Sequence, residues 1–256
     1  MLPMNKPRVC SQGFTLVELT VVLIIVSLLL GGLLIPLSAQ QDVRQLADTE
    51  KQLAETRDAL IGYAQINGRL PCPAADAGGL ENRDLVSRQC ASLFGFLPWV
   101  NLGTRPTDPW GRLIRYRVSN EFAQSGVNGT DPTLTTNSAA QLRIQGHNAD
   151  GSYSDLTNDV PREVVFAILS HGKNGYHATN LDGTAGPSDA GVVNPDEDIN
   201  NTALSNPNPE AVAGRATLIS RTPTPATTPT LGAFDDQLLW VPRSVLINRL
   251  VAAGKI

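Results

Sequence analysis

The side chains in this sequence that could do chemistry are one isolated carboxylate, a scatter of acids, and a few histidines and cysteines. Glu18 is the only charged residue in the 24-residue stretch from Phe14 to Leu37. A carboxylate in an apolar run costs roughly 2.5–3.5 kcal/mol on insertion scales, so it calls for a partner and a job. Its plainer role is to sit near a membrane interface and snorkel. Asp182, Asp189, Asp196, Glu197 and Asp198 concentrate hard oxygens in one segment, and Asp235 and Asp236 can approach from the next. Such donors suit calcium, which binds several oxygens and can order a loop that lacks an apolar core. No EF-hand spacing is present, and a solvated acidic loop is the competing reading.

The histidines, His147, His171 and His177, fit no common zinc spacing. Ser170 and His171 are adjacent, so on a strand they point to opposite faces. No G-x-S-x-G elbow is present. Gly172-Lys173-Asn174-Gly175 lacks the order of a phosphate loop and reads as a tight turn. No catalytic constellation emerges, and the chain is not expected to be an enzyme.

These groups need elements to position them. The run 14–37 is long enough to cross a membrane as a helix. Lys6 and Arg8 precede it, so the positive-inside rule keeps the N-terminus cytoplasmic. A cleavable secretory signal ending at Leu37-Ser38-Ala39 is the alternative, against which the length of the run and Glu18 both count. Beyond Pro36 the helix is expected to continue to about Ile66. Leu46, Leu53 and Leu60 recur every seven residues, with Ala47, Ala54 and Ile61 beside them. Asn67-Gly68 supplies a C-cap, and Pro71 prevents continuation.

Strands are expected at 114–118, where Ile114, Tyr116 and Val118 alternate with Arg115 and Arg117, and at 141–145, 217–221 and 238–241. Val164 to Leu169 is a continuous apolar run and reads as a buried central strand. A last helix is expected over 244–253. Residues 174–213 show no periodicity and read as a long acidic loop. Thr222 to Thr230 is a Thr/Pro tract, expected to be extended and exposed.

Gly13-Phe14-Thr15-Leu16-Val17-Glu18-Leu19 resembles the processing site of type IV pilins and type II secretion pseudopilins: a basic leader ending in Gly, then Phe, then Glu as the fifth mature residue, then an apolar helix. The resemblance implies cleavage between Gly13 and Phe14 by a prepilin peptidase, N-methylation of Phe14, and assembly into a filament through packed N-terminal helices. Other pilin or pseudopilin subunits, the peptidase and the inner membrane are the implied partners. The free amine of Phe14 is cationic near neutral pH and can pair with Glu18 of a neighbouring subunit. One departure is Pro36, the twenty-third mature residue where the family usually has Pro as the twenty-second.

Asp108-Pro109-Trp110-Gly111 and the strand after it look like a segment of the G group of pseudopilins, with Trp110 as a core plug. That group carries a structural calcium in an acidic loop, which makes Asp189, Asp196, Asp198, Asp235 and Asp236 calcium candidates.

The fold class expected is therefore α+β and pilin-like: a long N-terminal α-helix with an antiparallel sheet packed on its C-terminal half. Residues 1–13 form a leader, 14–37 a transmembrane and filament-core helix, 38–67 its amphipathic continuation, and 68–256 a periplasmic head containing the acidic loop 174–213. Leader removal takes away Cys10 and leaves Cys72 and Cys90 in an oxidising compartment. A disulfide is expected there, two free buried thiols being the alternative. It also removes Lys6 and Arg8, shifting the formal net charge from −4 to −6, which argues against nucleic acid as a partner. The expected function is that of a minor pilin or pseudopilin. The alternative is a membrane-anchored or secreted periplasmic enzyme, or an adhesin-like surface protein.

Overall fold

The structure is a computed structural model. It describes Gly13 and residues 15–123, 141–157, 164–187, 195–205, 215–225 and 231–255, with only the backbone described for 30–39, 141, 205 and 215. The chain divides into two compact units at Arg44/Gln45. Helix α1 (Leu16–Asn67) contributes to both.

In the first unit, the start of α1 is fixed by Thr15-Leu16-Val17-Glu18. The Thr15 hydroxyl accepts from the Glu18 N–H at 3.2 Å, and the Glu18 carboxylate reaches back to the Thr15 N–H at 3.5 Å. That is a capping box, which satisfies two orphan donors reciprocally. Leu16, Val17, Leu19, Leu23, Ile24, Leu28 and Leu29 all stand exposed. Among the described residues no helix is long and apolar enough to cross a membrane. The expected span 14–37 lies only partly within them, because Phe14 and the side chains of 30–39 fall outside.

In the second unit, α1 ends where Gly68, at φ 70°, donates its N–H to the Ala64 carbonyl. β1 (Phe94–Phe96), α2 (Trp99–Leu102), β2 (Arg115–Val118) and α3 (Asn120–Ala123) follow. Then come β3 (Gln141–His147), β4 (Tyr153–Asp155) and β5 (Val164–Ser170). The chain finishes with α4 (Pro195–Ser205), β6 (Arg215–Ile219), β7 (Gln237–Pro242) and α5 (Arg243–Ala252).

The seven strands form one sheet. It runs β1-β2-β5-β3-β4, with β7 also on β5 and β6 also on β3. The expectation of a purely antiparallel sheet is corrected here: β6 pairs β3 in parallel, from Gln141↔Arg215 to Gln145↔Ile219. The reason is β5, which runs antiparallel to β3 and brings the chain back to the end where β3 starts, so that β6, entered through α4 from that end, runs the same way as β3.

β5 is buried along its whole length because both faces are covered. On one face Phe166 and Ile168 join Leu53, Leu60, Ile61 and Ala64 of α1, with Tyr116, Val241, Leu246 and Leu250. On the other, Ala167 and Leu169 join Leu142, Ile144, Leu218 and the α4 residues Ala203 and Leu204. The register shift between Val164 and Phe166 brings Val165 to the first face beside Phe166.

Two further expectations are corrected. Residues 174–213 are not loop throughout, since 195–205 is α4. The alternation in β2 is that of a half-buried strand, yet Arg115 and Arg117 are buried too, donating to the carbonyls of Leu204 and Ala203 and lying over the rings of Phe96 and Phe94. Helix α4 covers that face, and guanidinium groups suit its electronegative C-terminus. Desolvation lowers both arginines to about 10.

Candidate functional site

The acidic side chains converge on three places rather than one. Consecutive residues of a helix point about 100° apart, so Asp196, Glu197 and Asp198 in the first turn of α4 leave in different directions. Asp196 is fully buried against Arg221 (2.5 Å) and His147 (2.8 Å), and accepts from the Tyr153 hydroxyl at 3.0 Å. Asp198 meets His177 Nε2 at 2.9 Å. Glu197 turns inward to Asp235 and Asp236, which precede β7. One carboxylate oxygen from each lies within 4.8 Å of the others.

The turn after β5 closes this cluster. Asn174 donates its backbone N–H to Asp235 (2.7 Å) and its amide to Glu197 (3.0 and 3.2 Å). The Asp235 N–H also donates to Glu197, at 3.0 Å. Asn200 of α4 donates to Asp236 at 2.9 Å and, with the Ile219 N–H donating to its own carbonyl, ties the cluster to β6. Gly172, at φ 58°, lets the turn pass Asp235 closely: a Cβ there would sit 2.2 Å from the Asp235 carbonyl oxygen.

The electrostatics are those of charge without enough compensation. Burial, followed by repulsion from Asp236, pushes Glu197 up to about 8. Burial raises Asp236 to about 7 and Asp235 to about 6. One oxygen of Asp235 and one of Asp236 have no hydrogen-bond partner. His171, 1% exposed, sets Nδ1 3.4 Å from the unpartnered Asp236 Oδ1, with neither ring nitrogen hydrogen-bonded. Desolvation lowers that imidazole to about 3, so it stays neutral and neutralises nothing.

A divalent cation fits this set. Calcium–oxygen bonds of 2.3–2.6 Å place opposed ligands about 4.8 Å apart, matching the spread of the three carboxylates. Of the calcium candidates read from sequence, the structure brings Asp235 and Asp236 together and places Asp196 and Asp198 elsewhere. Asp189 lies outside the described residues. Asp182 caps its own turn through Thr184. Glu197 joins the cluster, and its signal was the helix start: Pro195 followed by three acids.

The remaining sequence candidates fall as follows. Cys72 and Cys90 form a disulfide, their Cα atoms 5.3 Å apart. Trp110 is only half-buried and is not the core plug expected of it. The buried member of that turn is Asp108, whose carboxylate accepts from the Trp110 and Arg112 N–H groups and the Ser170 hydroxyl. Ser170 is thus a structural donor. Gly13 is exposed, and Glu18 is engaged in the capping box with its side chain open to a further partner. Phe14 lies outside the described residues.

No curated protein and no solved structure matches the chain. Residues 8–34 match the family described as the prokaryotic N-terminal methylation motif. The chain carries, over residues 8–34, the prepilin signal of type IV pilins and pseudopilins.

Proposed function

We propose that the protein is a structural filament subunit, a minor pilin or pseudopilin of a type IV pilus or a type II secretion filament. The observation that carries this reading is the methylation motif at residues 8–34, continued by a helix whose apolar side chains from Leu16 to Leu29 stand uncovered. An apolar helix surface of that extent needs lipid or other helices against it. The precursor sits in the bacterial inner membrane with its C-terminal head in the periplasm. Prepilin peptidase cuts between Gly13 and Phe14, and Phe14 is methylated. Glu18 then answers the Phe14 amine of an adjacent subunit, which fixes register because a charge left alone in the filament core is costly.

Mass spectrometry of the mature N-terminus tests the processing step. The expected species begins with methylated Phe14, and a chain beginning after Ala39 would overturn the reading. Glu18→Ala should leave membrane insertion intact and remove the protein from sheared filaments.

Within the head, Glu197, Asp235 and Asp236 hold a structural calcium that pins α4, the turn after β5 and the approach to β7 to one another. Support comes from the unpartnered Asp235 and Asp236 oxygens and from the fully buried, unbonded His171 beside them. Calcium should raise the thermal midpoint of the protein near neutral pH, and Asp236→Asn should abolish the response.

A further inference from the structure

The second unit carries two apolar features that its own fold leaves unused. One is a knob. The loop closed by the Cys72–Cys90 disulfide ends in a tight turn whose tip holds Leu85 and Val86, 91% and 94% exposed. The turn is held rigidly. Asp84 accepts the N–H groups of Val86 (2.9 Å) and Ser87 (2.6 Å) on its carboxylate. Its backbone closes on Arg88 and Gln89 at 2.9 Å each, and Arg83 and Cys90 form a bridge at the base. Aliphatic side chains fixed on such a turn lose little further freedom on docking.

The other feature is an open groove of about 390 Å³ between the second half of α1 and β7, walled by Leu46, Leu53, Leu238 and Leu239. Its rim carries Glu50. Gln237 also lines it, with both polar atoms of its amide buried and unbonded. A buried amide with donor and acceptor both unmatched is rare in a finished structure. A peptide group entering the groove can satisfy both after a side-chain rotation.

We propose that the groove receives the Leu85–Val86 turn of a second copy of this chain, with Arg88 of the turn facing Glu50 on the rim. The two surfaces are complementary in character: apolar tip to the leucines of the wall, and cation to the Glu50 rim, while Arg221 and Asp236, which also line the groove, are engaged by Asp196 and Asn200. The two surfaces also lie on one chain, so the contact joins unlike faces. Such a contact, unless its rotation closes a ring, propagates into a helical array. It therefore rests on, and deepens, the filament reading. Two side chains make a small interface, below the range of stable independent dimers. It acts when the N-terminal helices already hold subunits at high local concentration.

The test uses the full-length chain in cells, with the photoreactive residue p-benzoyl-phenylalanine in place of Val86. Illumination should give a dimer-sized adduct whose cross-linked peptide contains residues of the groove. Arg88→Glu or Glu50→Arg should each lower the yield about two- to fivefold, the range for one exposed charge pair, and the two together should restore it. No adduct, or adducts mapping to other surfaces or to lipid, overturns the docking whatever happens at the N-terminus. An unprocessed Phe14 with the groove adduct retained overturns the filament reading and leaves the docking standing.

Discussion

The carboxylate cluster makes the stability of the head depend on pH in an unusual direction. Glu197, Asp235 and Asp236 have ordinary values of 4.5, 3.8 and 3.8, and burial moves them to about 8, 6 and 7. At about 1.4 kcal/mol per pH unit, the displacement of Asp236 alone disfavours its ionised form by about 4 kcal/mol. The folded head keeps its protons over a range in which the unfolded chain has already lost them. Stability from these groups is therefore fully present below about pH 4 and is lost as the pH climbs through 6 to 8. Burial is the first cause at each of the three, and Asp236 alone supplies about 4 kcal/mol of this pH dependence. At roughly 2–4 °C per kcal/mol for a domain of this size, the cation-free protein should lose about 10 °C in thermal midpoint between pH 5 and pH 8.

A cation that binds only the ionised, folded cluster reverses the loss. A hundredfold excess over Kd adds about 2.7 kcal/mol, so calcium should restore about 5–10 °C at pH 7.5. The assay is thermal unfolding of the full chain in detergent, with chelator or with calcium, from pH 5 to pH 8. Asp236→Asn cannot ionise and should reduce the pH slope, leaving the part due to Glu197 and Asp235, and abolish the calcium response. A midpoint in chelator that is flat or rises with pH would refute the electrostatic reasoning. A normal slope with no response to calcium would remove the cation alone.

Two further perturbations probe the packing. Leu60→Ala empties a fully buried position where α1 meets the sheet and should cost about 2–5 kcal/mol, whereas Ile66→Ala, at a site 77% exposed, should leave the midpoint within a degree or two; equal effects would mean that α1 is not packed as described. Cys72→Ser should cost on the order of 3 kcal/mol and make the peptide bonds around Leu85 and Val86 the first to be cut in limited proteolysis, an expectation defeated by unchanged stability and an unchanged cutting pattern.

What could be read from the sequence follows from how local each signal is. β5 shows itself as an unbroken apolar run, β2 through Tyr116 and its alternation, and the end of α1 through Asn67-Gly68, because those patterns are set within a few residues. The parallel pairing of β3 with β6 has no local signature, since strand direction depends on the route of the intervening chain. Helix α4 has no such signature because its apolar face is only Ile199, Ala203 and Leu204, too short for a period to declare itself. Once α4 is missed, the burial of Arg115 and Arg117 is unreadable, because the covering layer is what buries them. The acids illustrate the same point at the site. Their number is plain in the sequence, but which of them meet depends on the phase of α4, which sends Glu197 to Asp236 and Asp196 to Arg221.

The parallel β3/β6 pair also bears on how the head is made. Its partners lie about 70 residues apart in the chain, and pairings so distant form slowly because loop closure precedes their reward. Asn200 links the carboxylates to Ile219 of β6, and Asp235 and Asp236 come later still in the chain. The cluster ties α4, β6 and the approach to β7 together, so it is complete only once β6 has found its place. A cation held there would favour chains in which β6 has already paired, so, if the cluster binds one, its supply would bear on how many heads stay complete rather than on how fast they begin to fold.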